Sequence, residues 1–168
     1  MGFKKTSELI AVSFGLTETA PGIFTESEVA LQLDVLNNEI AVILAVDLDL
    51  SEPEAIAGID TAVRASVTAT TVTAMPSLAN TNTITTGKEM IRAAGFIDSG
   101  VGFTRRADST YTGDLDYVAL IATNNFFVQI QGTGNTAAKA LSGRVWLYRA
   151  KADSSTYAAL VQSEVLSA

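Results

Sequence analysis

"NNFFVQIQGTGN", Asn124 to Asn135, decides how this chain is read. In an extended backbone Phe126, Val128 and Ile130 fall on one side and Phe127, Gln129 and Gln131 on the other, because successive strand side chains point to opposite faces. Two asparagines, which tolerate positive φ, lead in, and a glycine-rich turn leads out. A period of two bounded by turn residues is the signature of a half-buried strand. "DYVALIATN" before it and "GRVWLYRAK" after it read the same way. Asn124-Asn125 is expected to close a hairpin with the first, and "GTGNTAAKALSG" to make the longer connection to the second.

The pattern continues toward the N terminus. In "SELIAVSFG" (Ser7 to Gly15), Ile10, Val12 and Phe14 form the larger face and are expected to point inward. Pro21-Gly22 marks a turn. "ESEVALQLDVL" alternates Val29, Leu31, Leu33 and Val35 with polar or small residues, and Asn37-Asn38 closes it. "EIAVILAVDLDL" places Ile40, Val42, Leu44, Val46, Leu48 and Leu50 on one face and Ala41, Ile43, Ala45, Asp47 and Asp49 on the other. The second face should be covered at its Glu39 end and wet at its Asp49 end, its Ala41-Ile43-Ala45 part suiting a partner. "AVRASVTATTVTAM" is rich in β-branched residues and reads as a strand stopped by Pro76. "SLANTNTITTG" reads as loop, "GKEMIRAAGF" as a short helix bearing Met90, Ile91 and Ala94 and ended by Gly95, and "IDSGVGFTRR" as a short strand. "DSSTYAALVQSEVLSA" reads as a helix with Ser154 or Ser155 as its cap and Tyr157, Val161 and Val165 as its stripe. It either lies on its own sandwich or docks on a neighbour.

Composition narrows the chemistry. The 168 residues are 48% hydrophobic and 17% charged, enough for one domain with a sizeable core. No run of eighteen apolar residues is present, so no transmembrane segment is expected, and "MGFKKTSELIAVSFG" lacks the long apolar run of a secretory signal. Synthesis in the cytoplasm from Met1 is the expectation. There is no cysteine and no histidine, which removes disulfides, thiolate sites and the commonest general base and zinc ligand. The net charge is −7. Residues 1–60 carry eleven acidic side chains against Lys4 and Lys5, and residues 61–168 carry nine basic and seven acidic. Basic residues cluster only at Lys4-Lys5, Arg105-Arg106 and the alternating Arg149-Lys151, too few for the phosphate neutralisation that nucleic-acid binding needs. No direct nucleic-acid binding is expected.

Three stretches and one set of aromatic residues could carry chemistry. "DLDLSEPE" collects Asp47, Asp49, Ser51, Glu52 and Glu54, hard oxygen ligands at alternating strand positions, without the central glycine or closing Glu of a calcium loop. It reads as a solvated strand end. "DSTYTGDLDY", with Asp108, Asp114 and Asp116, reads likewise, and such carboxylate pairs would serve glycoside hydrolysis only at a fixed separation. "GTGNTAAKALSG" lacks the G-x-x-x-x-G-K-[ST] spacing of a phosphate loop and precedes a strand. Phe126, Phe127, Trp146, Tyr148 and Tyr157 could make a sugar-stacking platform, with Trp146, Tyr148 and Arg144 on one face, but core packing, including a buried Trp146, is the expected role. No catalytic, cofactor-binding or metal-ligating residue is assigned, no cofactor is expected, and the chain is read as a non-enzyme.

About eight evenly spaced strands with few helices indicate an all-β sandwich, and an antiparallel jelly roll with one or two short helices is the eight-stranded option. From Asp116 to Ala152, "DYVALIA", an Asn-rich turn, "FFVQIQG", a glycine-rich loop and "GRVWLYRAK" resemble the ends of single jelly-roll capsid proteins of small icosahedral viruses. The resemblance implies a virion subunit that self-associates into a shell, together with other capsid proteins if the shell is composite. The basic N-terminal arm of many such coats is missing. Residues 1–168 are read as one β-sandwich domain, with 153–168 as a terminal helix or arm. The alternative from another class is a ligand- or carbohydrate-binding β-sandwich module.

Overall fold

The computed structural model describes residues 2–95, 97, 100–105 and 115–167. Among these residues ten strands run in the order β1 Phe3–Lys5, β2 Ile10–Thr17, β3 Thr25–Ala30, β4 Glu39–Leu50, β5 Thr61–Thr68, β6 Thr83–Arg92, β7 Val101–Arg105, β8 Ala119–Ile121, β9 Asn125–Thr133 and β10 Ala140–Ala152, and α1 Ser154–Leu166 follows. A 3-10 turn, Val35–Asn37, lies between β3 and β4. The first sheet has the order β1-β10-β4-β8, with β2 also on β10, and the second β3-β9-β5-β6-β7.

The pairing pattern defines the topology. Setting β1 and β7 aside, first pairs last in β2·β10, and the nesting continues inward through β3·β9, β4·β8 and β5·β6, all antiparallel. A long hairpin rolled up on itself gives these four pairings, and β10·β4 and β9·β5 join the rolled ladder into sheets. This is an antiparallel jelly roll.

The core lies between the sheets. Ile43, Val46, Leu48, Val145 and Leu147 of the first sheet meet Val63, Val67, Phe126, Val128 and Ile130 of the second. Burying each such side chain contributes about 1.5–3 kcal/mol. Ile10, Val12 and Phe14 pack against this core as expected. Phe14 meets Phe126 edge-on with ring centroids 5.8 Å apart. The Phe14 ring also passes so close to Gly143 that a Cβ there would stand 2.5 Å from it. Only glycine allows β10 to run under that ring.

Several elements depart from the sequence reading, each for a local reason. The six-residue face of β4 is divided. The register slips opposite Trp146/Leu147, where Leu44 is the extra residue of a β-bulge. A one-residue insertion exchanges the two faces of a strand. Ala41 and Ile43 therefore join Val46, Leu48 and Leu50 in the intersheet core, while Ile40, Val42 and Leu44 face outward into a second apolar cluster. Both faces are covered at the Glu39 end, and Asp47 and Asp49 are exposed. The β3 strand stops at Ala30, because Gln32 adopts φ 54° and Leu31 and Leu33 fold inward.

The reading of "GKEMIRAAGF" as a helix is overturned. Gly87 to Arg92 end β6, which begins at Thr83 inside the presumed loop and is bonded on one side to β5 and on the other to β7, while Phe96 lies outside the described residues. Pairing on both sides from Lys88 to Arg92 outweighs a weak local helical spacing. The Thr-rich strand stops at Thr68 instead of Met75, where the Thr68 hydroxyl donates to the Thr70 carbonyl at 2.7 Å. Asn124-Asn125 closes no hairpin. It carries the chain from β8 in one sheet to β9 in the other. The Asn124 carbonyl accepts from Leu31 N–H at 3.0 Å, and its side chain accepts from Leu33 N–H.

Two covers lie on the outer faces. The α1 helix packs Tyr157, Leu160 and Val161 onto Ile40, Val42, Ala122, Ala150 and Ala152 of its own sandwich. Its cap is Asp153, neither Ser154 nor Ser155, and accepts from Thr156 N–H at 2.7 Å. Val165 lies outside the stripe and is exposed, and Leu160 lies within it. Glu164 is buried and takes the Ala122 N–H at 2.8 Å. On the second sheet the chain after β5 folds back across the outer face. There Gln129 donates to Glu26 at 2.8 Å and to the Thr68 hydroxyl at 2.7 Å, and accepts from the Ser66 hydroxyl at 2.6 Å. Glu26 also accepts from the Thr71 hydroxyl and from Val72 N–H.

Candidate functional site

The acidic stretch after β4 separates into two uses. Asp47 and Asp49 stand exposed on the outer face of the first sheet, opposite Arg144 and Ser142 of β10. Arg144 turns away, its Nε donating to the Ser13 hydroxyl at 3.2 Å and its guanidinium lying 5.8 Å from the Trp146 ring centroid. Among the described residues no cation lies within salt-bridge distance of Asp47 or Asp49. Nor does any group of three acidic side chains converge in a way that could hold a metal ion. Ser51 and Glu54, from the same stretch, serve the neighbouring loop. The Ser51 hydroxyl accepts from Ala140 N–H at 3.0 Å, and Glu54 accepts from the Thr136 hydroxyl and from the Thr136 and Ala137 amides. Asp108 and Asp114 lie outside the described residues, and Asp116 is exposed.

The same contacts explain what the glycine-rich loop does. A phosphate loop needs free amides converging on an anion. Here the amides are occupied by the protein's own carboxylates. Glu18, buried, takes Gly132 N–H and, at 2.8 Å, Lys139 N–H, while Glu54 takes those of Thr136 and Ala137. Asp60 does the same for Ala93 and Ala94, at 2.8 and 2.9 Å. Three carboxylates therefore staple the turns at one end of the roll. The Thr136 hydroxyl and amides hold the Glu54 carboxyl below its ordinary range. The Ala94 and Ala93 amides, with Arg92 nearby, do so for Asp60. A general acid at neutral pH needs a raised pKa, the opposite direction.

The aromatic residues also divide. Phe126 is in the core and Tyr157 packs from α1 onto the first sheet, as packing predicts. Trp146 is not. It lies half-buried on the outer face of the first sheet, beyond the reach of α1, in a shallow depression of about 270 Å³ lined by Ser13, Asp47, Asp49, Arg144 and Trp146 among others.

On the second sheet β5–β6–β7 pairing assembles a feature that the sequence concealed. Arg64 stands directly opposite Lys88, and Lys88 opposite Arg105 in the register. Arg92 follows two positions beyond Met90 on the same face, with Phe103 and Val101 beside them on β7. Met90, Arg92, Val101 and Phe103 line an open groove of about 490 Å³, in which Val101 and Phe103 are 51% and 52% exposed. The basic residues lie far apart along the chain, so no charge run marks them. The available signal was alternation in "TITTGKEMIR" once that stretch is taken as a strand.

Among the described residues, both outer faces are thus covered at the end bearing α1 and open at the stapled end. One open half presents Asp47, Asp49 and Trp146. The other presents Arg64, Lys88, Arg92 and apolar side chains.

No family model matches the chain, and no curated protein matches it. Among solved structures, a chain described as Desmodium yellow mottle tymovirus is similar at 14% identity, covering 84% of this chain and 87% of that one, with a TM-score of 0.33.

Proposed function

We propose that the chain is a structural subunit that self-assembles into a viral capsid shell, made in the host cytoplasm and residing in the virion. A jelly roll alone does not fix this, since the fold serves capsids, lectins and cupins alike. The observation that carries the reading is the pair of open outer faces at one end of the roll. One open face would serve a ligand. Two, on opposite sides of a closed core, suit a subunit with neighbours on both sides. The staple role of Glu18, Glu54 and Asp60 supports a structural chain, because these carboxylates fix turns. Copies of the chain, with other capsid proteins in a composite shell, are its partners.

Negative-stain electron microscopy and sedimentation of the purified full-length chain test the reading. Closed particles of uniform size are expected. A monodisperse small species that retains a saccharide would replace it with the binding-module reading, with the Trp146 depression as the site.

A further inference from the structure

We infer that the open half of the second sheet, formed by Arg64, Lys88, Met90, Arg92, Val101 and Phe103, docks on the acidic open half of the first sheet of a second copy of this chain. The inference rests on the shell reading and names its interface. Arg64 and Lys88 are exposed and directly opposite in the ladder, where like charges repel. Among the described residues neither has an acidic partner, and only Arg92 is paired, with Asp60 at 3.4 Å. This cationic row sits in a chain of net charge −7. The counterpart is on the same molecule but cannot reach it. Asp47 and Asp49 lie on the outer face of the other sheet, with no cationic partner among the described residues, Glu52 exposed just beyond and Trp146 beside them. The intersheet core separates the two faces, so only a second copy can bring them together.

The composition of the groove selects a protein occupant. Phe, Met and Arg are the residues enriched at protein interfaces. A polyanion such as a nucleic acid would meet few cations interleaved with apolar side chains, on a chain whose net charge repels it. Joining unlike faces makes the contact heterologous, and such contacts propagate around a ring or shell instead of closing at a dimer.

A charge exchange tests the contact. Arg64→Glu with Lys88→Glu, and separately Asp47→Lys with Asp49→Lys, should each abolish the fast-sedimenting species while leaving the melting temperature of the subunit close to wild type. Combining all four substitutions should restore particles, an outcome that loss of folding could not produce. Wild-type-like particles from both reversed proteins would overturn the inference and leave the shell reading standing. So would intact particles that lose only co-purifying nucleic acid on Arg64→Glu/Lys88→Glu, since the row would then face the genome. Failure of the combined protein to assemble while the wild type does would also overturn it. A wild-type chain that forms no particles defeats the shell reading itself, and the inference with it.

Discussion

The two sheets are covered at the same end by opposite means. Over the first sheet α1 presses Tyr157, Leu160 and Val161 onto Ile40 and Val42, a contact of carbon on carbon. Over the second, the chain after β5 is held by a closed polar network in which Gln129, Ser66 and Thr68 are fully buried and Glu26 takes the last donors. The two covers are vulnerable in different ways. Apolar contact is non-directional, so the helix cover weakens in proportion to the area lost. A buried network depends on every member, because one deletion leaves the others without partners.

Removing the helix cover should have the largest effect. Deleting residues 154–168 exposes Ile40 and Val42 and leaves the Ala122 amide without Glu164. Each large aliphatic side chain returned to water costs about 1.5–3 kcal/mol, against a typical total stability of about 5–15 kcal/mol. The truncated chain should show no cooperative urea transition by circular dichroism. A sharp transition close to that of the full chain would show that α1 is an appendage, free to dock elsewhere.

Breaking the polar cover should cost less. Gln129→Leu keeps the volume but leaves the Ser66 hydroxyl without its acceptor and takes one donor each from Thr68 and Glu26, and should destabilise by about 1–3 kcal/mol in chemical denaturation. Its loss should be accompanied by protease sensitivity in residues 69–78, while α1 stays protected. An unchanged midpoint would mean that the loop is held by other contacts and that the two covers do not differ in kind.

The smallest effect belongs to the open end, where staples take the place of a cover. Glu54 and Asp60 have folded-state pKa values depressed from 4.5 and 3.8. A depressed carboxylate contributes stability that is fully present above its unfolded pKa and lost as pH falls through the folded one. Melting temperature should therefore be flat near neutrality and begin to fall below about pH 4.5, with further loss at lower pH. Asp60→Asn should flatten part of that acid limb, since the amide oxygen still accepts from Ala93 and Ala94 but no longer titrates. An acid limb identical to wild type would remove Asp60 from the set of staples.

Much of this architecture was legible in the residues because a strand writes its own alternation. Phe126, Val128 and Ile130 face the core and Gln129 faces away, as the period of two requires. The inward face of β2, the turn at Pro21-Gly22 and the C-terminal helix follow from equally local chemistry. The jelly roll was legible only as a count of strands and a resemblance; the nesting that defines it is a set of pairings between residues far apart in the chain. What tertiary structure alone decided has one physical cause: the local signal was weak and a long-range partner overrode it. The bulge at Leu44, a matter of register against β10, exchanged the faces of β4 and turned Ile40 and Val42 toward α1. Pairing with β5 and β7 made "GKEMIR" a strand and gathered Arg64, Lys88 and Arg92 onto one face. The acids of residues 1–60 were legible only as an excess of negative charge, yet Glu18, Glu26, Glu54 and Asp60 became staples once loops remote in sequence brought amides to them. Charge and period are properties of the sequence, but which carboxylate meets an amide and which meets water depends on the packing of distant segments.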